Sequence, residues 1–217
     1  MTTFWAELPF VFLIAGAALV GLWVSNIFYD YSLPQYLSRK IGHLGGGVAY
    51  LLCGFLFESW LWPLVLATVF TLLLFSARFI KGNLFRGVGG AGRPMAFAEV
   101  WFPAASIISI AIGWAWLGDR WLALLPALFL SFGDAVTGLT RSIVYHREFK
   151  GNMGSVAMVI ICLLLAWILY EPFWIGAVGA LVATAVERFT PMSKGWIDDN
   201  YTIVLSSLLT MGVLSNL

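Results

Sequence analysis

Apolar residues occur along this chain in eight runs separated by short polar segments. The runs lie approximately at 8–28, 41–57, 60–77, 97–117, 121–138, 155–170, 173–187 and 201–217. A helix needs about 20 mainly apolar residues to cross the hydrocarbon core of a bilayer, and roughly 17 to 25 are tolerated. The pattern predicts an all-α, polytopic helical bundle, embedded in a membrane as a single domain over residues 1–217. We expect about eight transmembrane helices, the first of them uncleaved.

The composition supports a membrane environment. The chain is 61% hydrophobic and only 11% charged, whereas a soluble domain is about 25% charged. The net charge of +1 provides no basic stripe for a phosphate backbone, so we expect no nucleic-acid partner. Cys53 and Cys162 lie within apolar runs, where a thiol behaves as a small hydrophobic group, and we expect no disulfide between them.

Basic residues are concentrated in every second connection between the runs. The odd-numbered connections hold eleven of the twelve basic residues, namely Arg39, Lys40, Arg78, Lys81, Arg86, Arg93, Arg141, Arg147, Lys150, Arg188 and Lys194. Cytoplasmic loops of membrane proteins carry an excess of Lys and Arg. The sequence therefore predicts a multi-pass protein of the cell membrane with odd connections in the cytoplasm and both termini outside. Nearly all the polar chemistry would then face the cytoplasm.

Two groups of polar residues adjoin the second and fifth runs. Arg39, Lys40 and His43 occur within five residues, and two cations with an imidazole are suited to holding a phosphate. Membrane anchoring alone would explain the two cations but not His43. Gly133 and Asp134 end a long apolar run, and an ionised Asp at membrane depth must be paired or bind a cation. We expect Asp134 to bind Mg²⁺; the structural alternative is an ion pair with a buried arginine such as Arg78.

Two further groups follow in later connections. Lys150 is followed by a glycine-containing segment with Asn152, Gly154 and Ser155, where backbone N–H groups at a helix start would favour an anion. The alternative is that Ser155 only caps the helix. Glu187 ends the seventh run, and the pair Asp198-Asp199 lies at the start of the last run. These acids are suited to a second metal ligand or a base. Their alternative is capping of the last helix.

The third connection and Glu99 complete the candidates. The segment from Lys81 to Pro94 contains five glycines, and it fits a mobile loop over phosphates, a flexible linker or a contact with lipid headgroups. It lacks the lysine and hydroxyl ending of a P-loop. Glu99, just inside the fourth run, is a candidate base, and its alternative is a pair with Arg78 or Arg93.

The order of these motifs resembles that of the dolichol kinase and phytol kinase family of membrane-embedded polyprenol kinases. Arg39-Lys40-x-x-His43 is followed by Gly133-Asp134, the segment Lys150 to Ser155, Glu187 and Asp199-Asn200. The resemblance spans roughly residues 39–205. Three positions depart from the family pattern: Gly151 and Met153 replace Thr and Glu, and Arg141 replaces a glycine.

The resemblance implies a kinase that transfers the γ-phosphoryl group of CTP to an isoprenoid alcohol, with Mg²⁺ as cofactor. Asp134 and Lys150 would be catalytic, with His43 and Glu99 as candidate bases. Mg²⁺ would be held by Asp134 with help from the other acids, Glu187, Asp198 and Asp199. The nucleotide phosphates would contact Arg39, Lys40, Gly133, Gly138, Asn152, Gly154 and Ser155. The departures leave the choice between CTP and ATP open.

Two other functions fit the same sequence. A cytidylyltransferase that makes a CDP-lipid would use a similar metal site but release pyrophosphate. A small transporter would line a path across the bilayer with charged residues. The clustering of polar residues on one side and the lack of an inverted repeat disfavour transport.

Overall fold

The computed structural model describes residues 5–80, 84–89, 97–146, 149–190 and 198–217, and every regular element within them is helical. This confirms the predicted all-α class. The helices are α1 (Leu8–Asp30), α2 (Gln35–Leu56), α3 (Leu61–Ala77), α4 (Ala98–Trp116), α5 (Arg120–Tyr145), α6 (Asn152–Leu169), α7 (Phe173–Phe189) and α8 (Asp199–Leu214). Each helix coincides with one apolar run of the sequence.

Four of the described helices, α1, α4, α5 and α6, are long and apolar enough to cross a membrane. Helix α2 has 22 residues but is less apolar. Helices α3, α7 and α8 have 17, 17 and 16 residues, near the lower limit for a span. The number of eight transmembrane helices therefore stays a prediction.

Helix α5 is the centre of the bundle and α1 lies at its edge. In the most apolar stretch of α5, 83% of residues are buried, compared with 17% in α1. Helix α5 contacts α2, α4, α6, α7 and α8. Pro126 lies inside α5 and cannot donate a helical hydrogen bond, and the helix widens into a π-helical turn at Phe129–Asp134. Such turns are often found at functional sites, and this one ends at Asp134.

Glycines allow α2 to approach its neighbours closely. A Cβ atom on Gly21 of α1 would lie 2.6 Å from the Cα atom of Gly45, so the two helices cross backbone to backbone. On other faces of α2, Gly46 lies against Phe102 of α4 and Gly47 lies against Ser131 of α5. The glycines of the second helix thus allow close helix packing on several of its faces. The free, buried state of Cys53 and Cys162 also agrees with the sequence.

We predict that Gly21→Ala destabilises the protein, since the added Cβ would meet backbone rather than a movable side chain. Forcing a tight contact apart costs about 1–3 kcal/mol, which corresponds to a fall in Tm on the order of 5 °C. Gly16→Ala is the matched control, because it lies on the same helix and a Cβ there has nothing within 4 Å. Thermal unfolding in detergent measures both variants, and equal Tm values would contradict the close crossing.

Candidate active site

Helices α2 and α5 bring Lys40, His43 and Asp134 together. The Lys40 ammonium donates to Oδ2 of Asp134, whose side chain is 1% exposed. One turn further along α2, Nδ1 of His43 lies 3.6 Å from the same oxygen. The alkyl stem of Lys40 crosses Gly138, where a Cβ would come within 2.9 Å of Lys40 Cγ. The three residues selected from sequence are therefore neighbours, and Gly138 makes room for Lys40.

Lys150 joins the end of α7 to the start of α8. Its ammonium donates to the main-chain oxygens of Glu187, at 2.5 Å, and Thr190, at 2.9 Å. It also lies 3.3 Å from Oδ2 of Asp199 and 3.4 Å from Oε1 of Glu187. A cation is stabilised by the free carbonyls at a helix C-terminus. Lys150 is thus held at the point where the two later acids meet.

Arg141 belongs to the same group, although the sequence analysis did not select it as a site residue. Its guanidinium donates to Oε1 of Glu187 at 2.5 Å, and both side chains are buried. Arg141 follows Asp134 by seven residues, which places the two on one face of a helix. This spacing, and the presence of a basic residue inside a mainly apolar helix, were the sequence features that could have identified Arg141 as a site residue.

Three carboxylates converge in this region. One oxygen from each of Asp134, Glu187 and Asp199 lies within 4.8 Å of the others. Oδ1 of Asp134 and Oε2 of Glu187 are buried without a hydrogen-bond partner among the described residues. Ligands of Mg²⁺ lie about 2.1 Å from the ion, so two of them are at most about 4.2 Å apart. Only one pair among three octahedral ligands can be opposite, and neighbouring ligands lie about 3.0 Å apart, so the acids would have to approach one another by up to about 2 Å to share one Mg²⁺. Their oxygen donors are of the type that this ion prefers.

Each carboxylate already has a cationic partner. Lys40 pairs with Asp134, Arg141 and Lys150 with Glu187, and Lys150 with Asp199. A divalent ion that binds these oxygens would displace the ammonium groups from them. The released cations would then lie beside the ion, where they can meet phosphate oxygens. The arrangement suits a metal that arrives together with an anionic ligand.

The structure separates Asp198 from Asp199, which the sequence analysis had grouped as metal ligands. Asp198 accepts a hydrogen bond from the Asn200 N–H at 2.8 Å and caps α8, which confirms the capping alternative for this residue. Burial, and then the adjacent charge of Asp199, raise the pKa of Asp198 to about 6. Asp198 is absent from the converging acids among the described residues.

The segment after Lys150 differs from its prediction. Helix α6 begins at Asn152 rather than near Ser155, so Ser155 is not the N-cap, and its hydroxyl is buried without a partner among the described residues. Gly154 lies against Arg141, and a Cβ there would be 3.3 Å from Nε. The side chain of Asn152 accepts a hydrogen bond from Arg188 at 3.0 Å. Phosphate binding by Asn152, Gly154 and Ser155 stays a prediction.

Gly133 precedes Asp134 but faces α6. A Cβ on Gly133 would lie 2.7 Å from Sγ of Cys162 and 3.0 Å from Cγ of Met158. The glycine therefore lets α6 pack closely beside Asp134. Its predicted contact with phosphate is untested.

Glu99 pairs with Arg78 at 2.5 Å, so the ion-pair alternative for Glu99 is confirmed, whereas the suggested pair of Asp134 with Arg78 is wrong. Gly89 lies directly against the Glu99 carboxyl.

Arg39 has a buried Nε atom without a partner among the described residues, and its charge acts to lower the pKa of Asp198.

The glycine-rich third connection is partly described, and that part packs against the bundle. The carbonyl of Gly87 accepts a hydrogen bond from Ser38 at 2.8 Å, and its N–H donates to Asn26 at 2.9 Å. Val88 is 4% exposed and lies on Gly42. Residues 84–89 are thus anchored to α1 and α2, contrary to a flexible linker. Lys81 and residues 90–94, including Arg93, lie outside the described residues.

No protein-family model, curated protein or solved structure matches this chain. The chemical capacity of the site therefore rests on its own side chains. It combines three acids whose oxygens can bind a divalent ion, three cations beside them and an imidazole next to Asp134. Metal ions and cations of this kind are used in phosphoryl transfer.

We predict that Asp199→Asn weakens Mn²⁺ binding at least tenfold while Asp198→Asn does not. Mn²⁺ replaces Mg²⁺ as a paramagnetic probe. Only Asp199 shares the space of Asp134 and Glu187, and an asparagine at position 198 can still cap α8. Electron paramagnetic resonance titration measures free Mn²⁺ for both variants. Equal losses in the two would contradict the separate roles of these neighbouring acids.

Proposed function

We propose that this protein is a membrane lipid kinase that transfers the γ-phosphoryl group of CTP to an isoprenoid alcohol at the cytoplasmic face of the cell membrane. The observation that carries the proposal is the convergence of Asp134, Glu187 and Asp199 within 4.8 Å. Lys40, Arg141 and Lys150 pair with these acids. A metal site surrounded by cations, in a helical bundle with apolar outer faces, is suited to joining a nucleotide to a lipid.

The outer surface supports a membrane location. Helix α1 exposes Phe12 and Trp23 at 71% and 62%, and α6 exposes Ile160 and Trp167 at 60% and 68%. Soluble proteins rarely expose contiguous apolar surface on this scale. The orientation with the site in the cytoplasm rests on the distribution of Lys and Arg between the connections.

The charged residues have distinct tasks in the proposed reaction. Asp134, Glu187 and Asp199 would hold Mg²⁺, which when bound neutralises charge on the nucleotide phosphates. Lys40 and Lys150 would leave their carboxylates and donate to phosphate oxygens. Arg141 is more buried and would keep Glu187 in place. Transfer through a loose transition state requires positioning and charge neutralisation above all.

The reaction forms one bond and breaks one. The alcohol oxygen attacks the γ-phosphorus, the bond to the β-phosphate bridging oxygen breaks, and the nucleoside diphosphate leaves with that electron pair. We assign the alcohol proton to His43, because its ring lies beside Asp134 and a neutral imidazole can act as a general base. Glu99 is less suited, since Arg78 already engages it.

The donor and product are the direct test of this function. We predict that purified protein with a C20 prenol, Mg²⁺ and CTP yields prenyl monophosphate and CDP. The choice of cytosine rests on the family resemblance alone, so ATP, GTP and UTP are assayed in parallel and the lipids are separated by thin-layer chromatography. Use of another donor would correct the nucleotide and retain the kinase.

Two outcomes would reject the kinase. Release of pyrophosphate with formation of a CMP-containing lipid would identify a cytidylyltransferase. Absence of any lipid product with all four nucleotides and a panel of prenols would favour transport or another substrate class.

We predict that Asp134→Asn reduces turnover about 10²–10³-fold, the loss typical when a charge that stabilises the transition state is removed. The control is Asp119→Asn, because Asp119 caps the other end of α5 by accepting from the N–H groups of Trp121 and Leu122, a task that Asn also performs. Initial rates at saturating CTP compare the two. Retention of more than about a tenth of the wild-type rate by Asp134→Asn would make Asp134 structural.

A further inference from the structure

An apolar cavity lies between α1, α2, α3 and α4, beside the charged site. The space between its walls, counting the part that opens to the outside, is about 580 Å³. Its walls are almost entirely apolar and include Ile14, Leu22, Gly42, Ala49, Ala67 and Phe102. We name it the α1–α4 cavity. No charged side chain is among its described lining residues, and apolar walls of this kind favour a hydrocarbon as the occupant.

The cavity runs along α2 towards the charged site. Its lining residues on α2 extend from Gly42 to Cys53, a length of about 17 Å at 1.5 Å per residue. Val88 packs on Gly42 and lies with Leu22 and Leu74 in one apolar cluster. The anchored segment 84–89 therefore covers the end of the cavity nearest Lys40.

Phe102 contacts both the cavity and the proposed base. Phe102 lines the cavity, and its ring centroid lies 5.4 Å from that of His43. The same ring packs over Gly46, where a Cβ would meet it at 2.5 Å. One face of α2 thus borders the cavity through Gly42 and Gly46, while Lys40 and His43 on the same helix reach Asp134.

We propose that the α1–α4 cavity binds the hydrocarbon chain of the lipid alcohol and directs its hydroxyl past Phe102 to His43. The inference rests on the proposed function for the identity of the lipid. It differs from the simpler arrangement in which the chain stays in the bilayer and only the hydroxyl enters the protein. A chain held inside the protein fixes the hydroxyl, and such positioning accelerates a reaction between two bound groups.

The structure offers a second apolar cleft, between α7 and α8, which supplies a comparison. It is lined by Val186, Phe189 and Leu205 together with the hydroxyl residues Thr190, Thr202 and Ser206. This cleft is more open and has no described link to His43, so we assign the chain to the α1–α4 cavity.

A photoreactive prenol tests the location without requiring turnover. The probe is a C20 prenol with a diazirine at the end of its chain, added to the wild-type protein in nanodiscs, with cross-linked residues mapped by mass spectrometry. We expect labels on cavity residues of α1–α4, reduced at least tenfold by excess unlabelled C20 prenol. Labels confined to outward-facing residues or to the α7–α8 cleft would overturn the proposal.

Filling the cavity provides the matched pair of variants. Ala67 lines the cavity and is 3% exposed, whereas Val69 on the same helix is 52% exposed. Ala67→Trp should reduce cavity labelling and raise the KM for C20 prenol at least tenfold, leaving the KM for CTP within twofold. Val69→Trp should change neither. If Ala67→Trp fails to fold, Ala49→Leu is the smaller filling change, with the same expected direction.

The outcomes distinguish this inference from the proposed function. Specific labelling of the cavity without a phosphorylated product from any donor would support the cavity as a lipid site and reject the kinase. Phosphorylation of C20 prenol with an unchanged KM in a folded, cavity-filling variant would retain the kinase and reject the cavity as the chain site.

Discussion

A buried ionised side chain needs an opposite charge, and this requirement determines how the ends of the central helices meet. Asp134 on α5 is neutralised by Lys40 from α2, and Lys150, just before α6, lies between Glu187 of α7 and Asp199 of α8. Removing one partner from a buried pair typically costs about 3–5 kcal/mol. The ends of α2, α5, α7 and α8 are therefore joined by charge. The ends of α3 and α4 are joined in the same way by Arg78 and Glu99.

Close packing at glycines allows α2 to serve both the charged site and the cavity. Gly45 lets α1 cross at backbone contact, and Gly47 lets α5 approach from another side. Larger side chains there would hold α2 away from α5 and lengthen the distance between Lys40 and Asp134. Because Gly42 and Gly46 lack side chains, they also leave space beside α2 for the cavity. The glycines thus let α2 border the apolar cavity on one face and the cluster around Asp134 on another.

The long apolar runs predicted the helices, and the family resemblance implied one site for Lys40, His43 and Asp134. The sequence could not predict which charges would pair. Arg78 meets Glu99 rather than Asp134, since partner choice depends on how helices rotate and cross. The sequence also could not distinguish Asp198 from Asp199. Helix α8 begins between them, so Asp198 caps the helix whereas Asp199 pairs with Lys150.

The pairing of the acids with lysines has a consequence for the order of binding in the proposed kinase. A metal ion alone would displace Lys40 from Asp134 and leave a largely buried ammonium without its counter-charge, at a cost of about 3–5 kcal/mol. A nucleotide alone would meet lysines already engaged by carboxylates. When both arrive together, the ion takes the carboxylates and the phosphates take the lysines, so no charge is left unpaired. The ion pairs therefore favour the metal–nucleotide complex over either component and keep the site neutral in its absence.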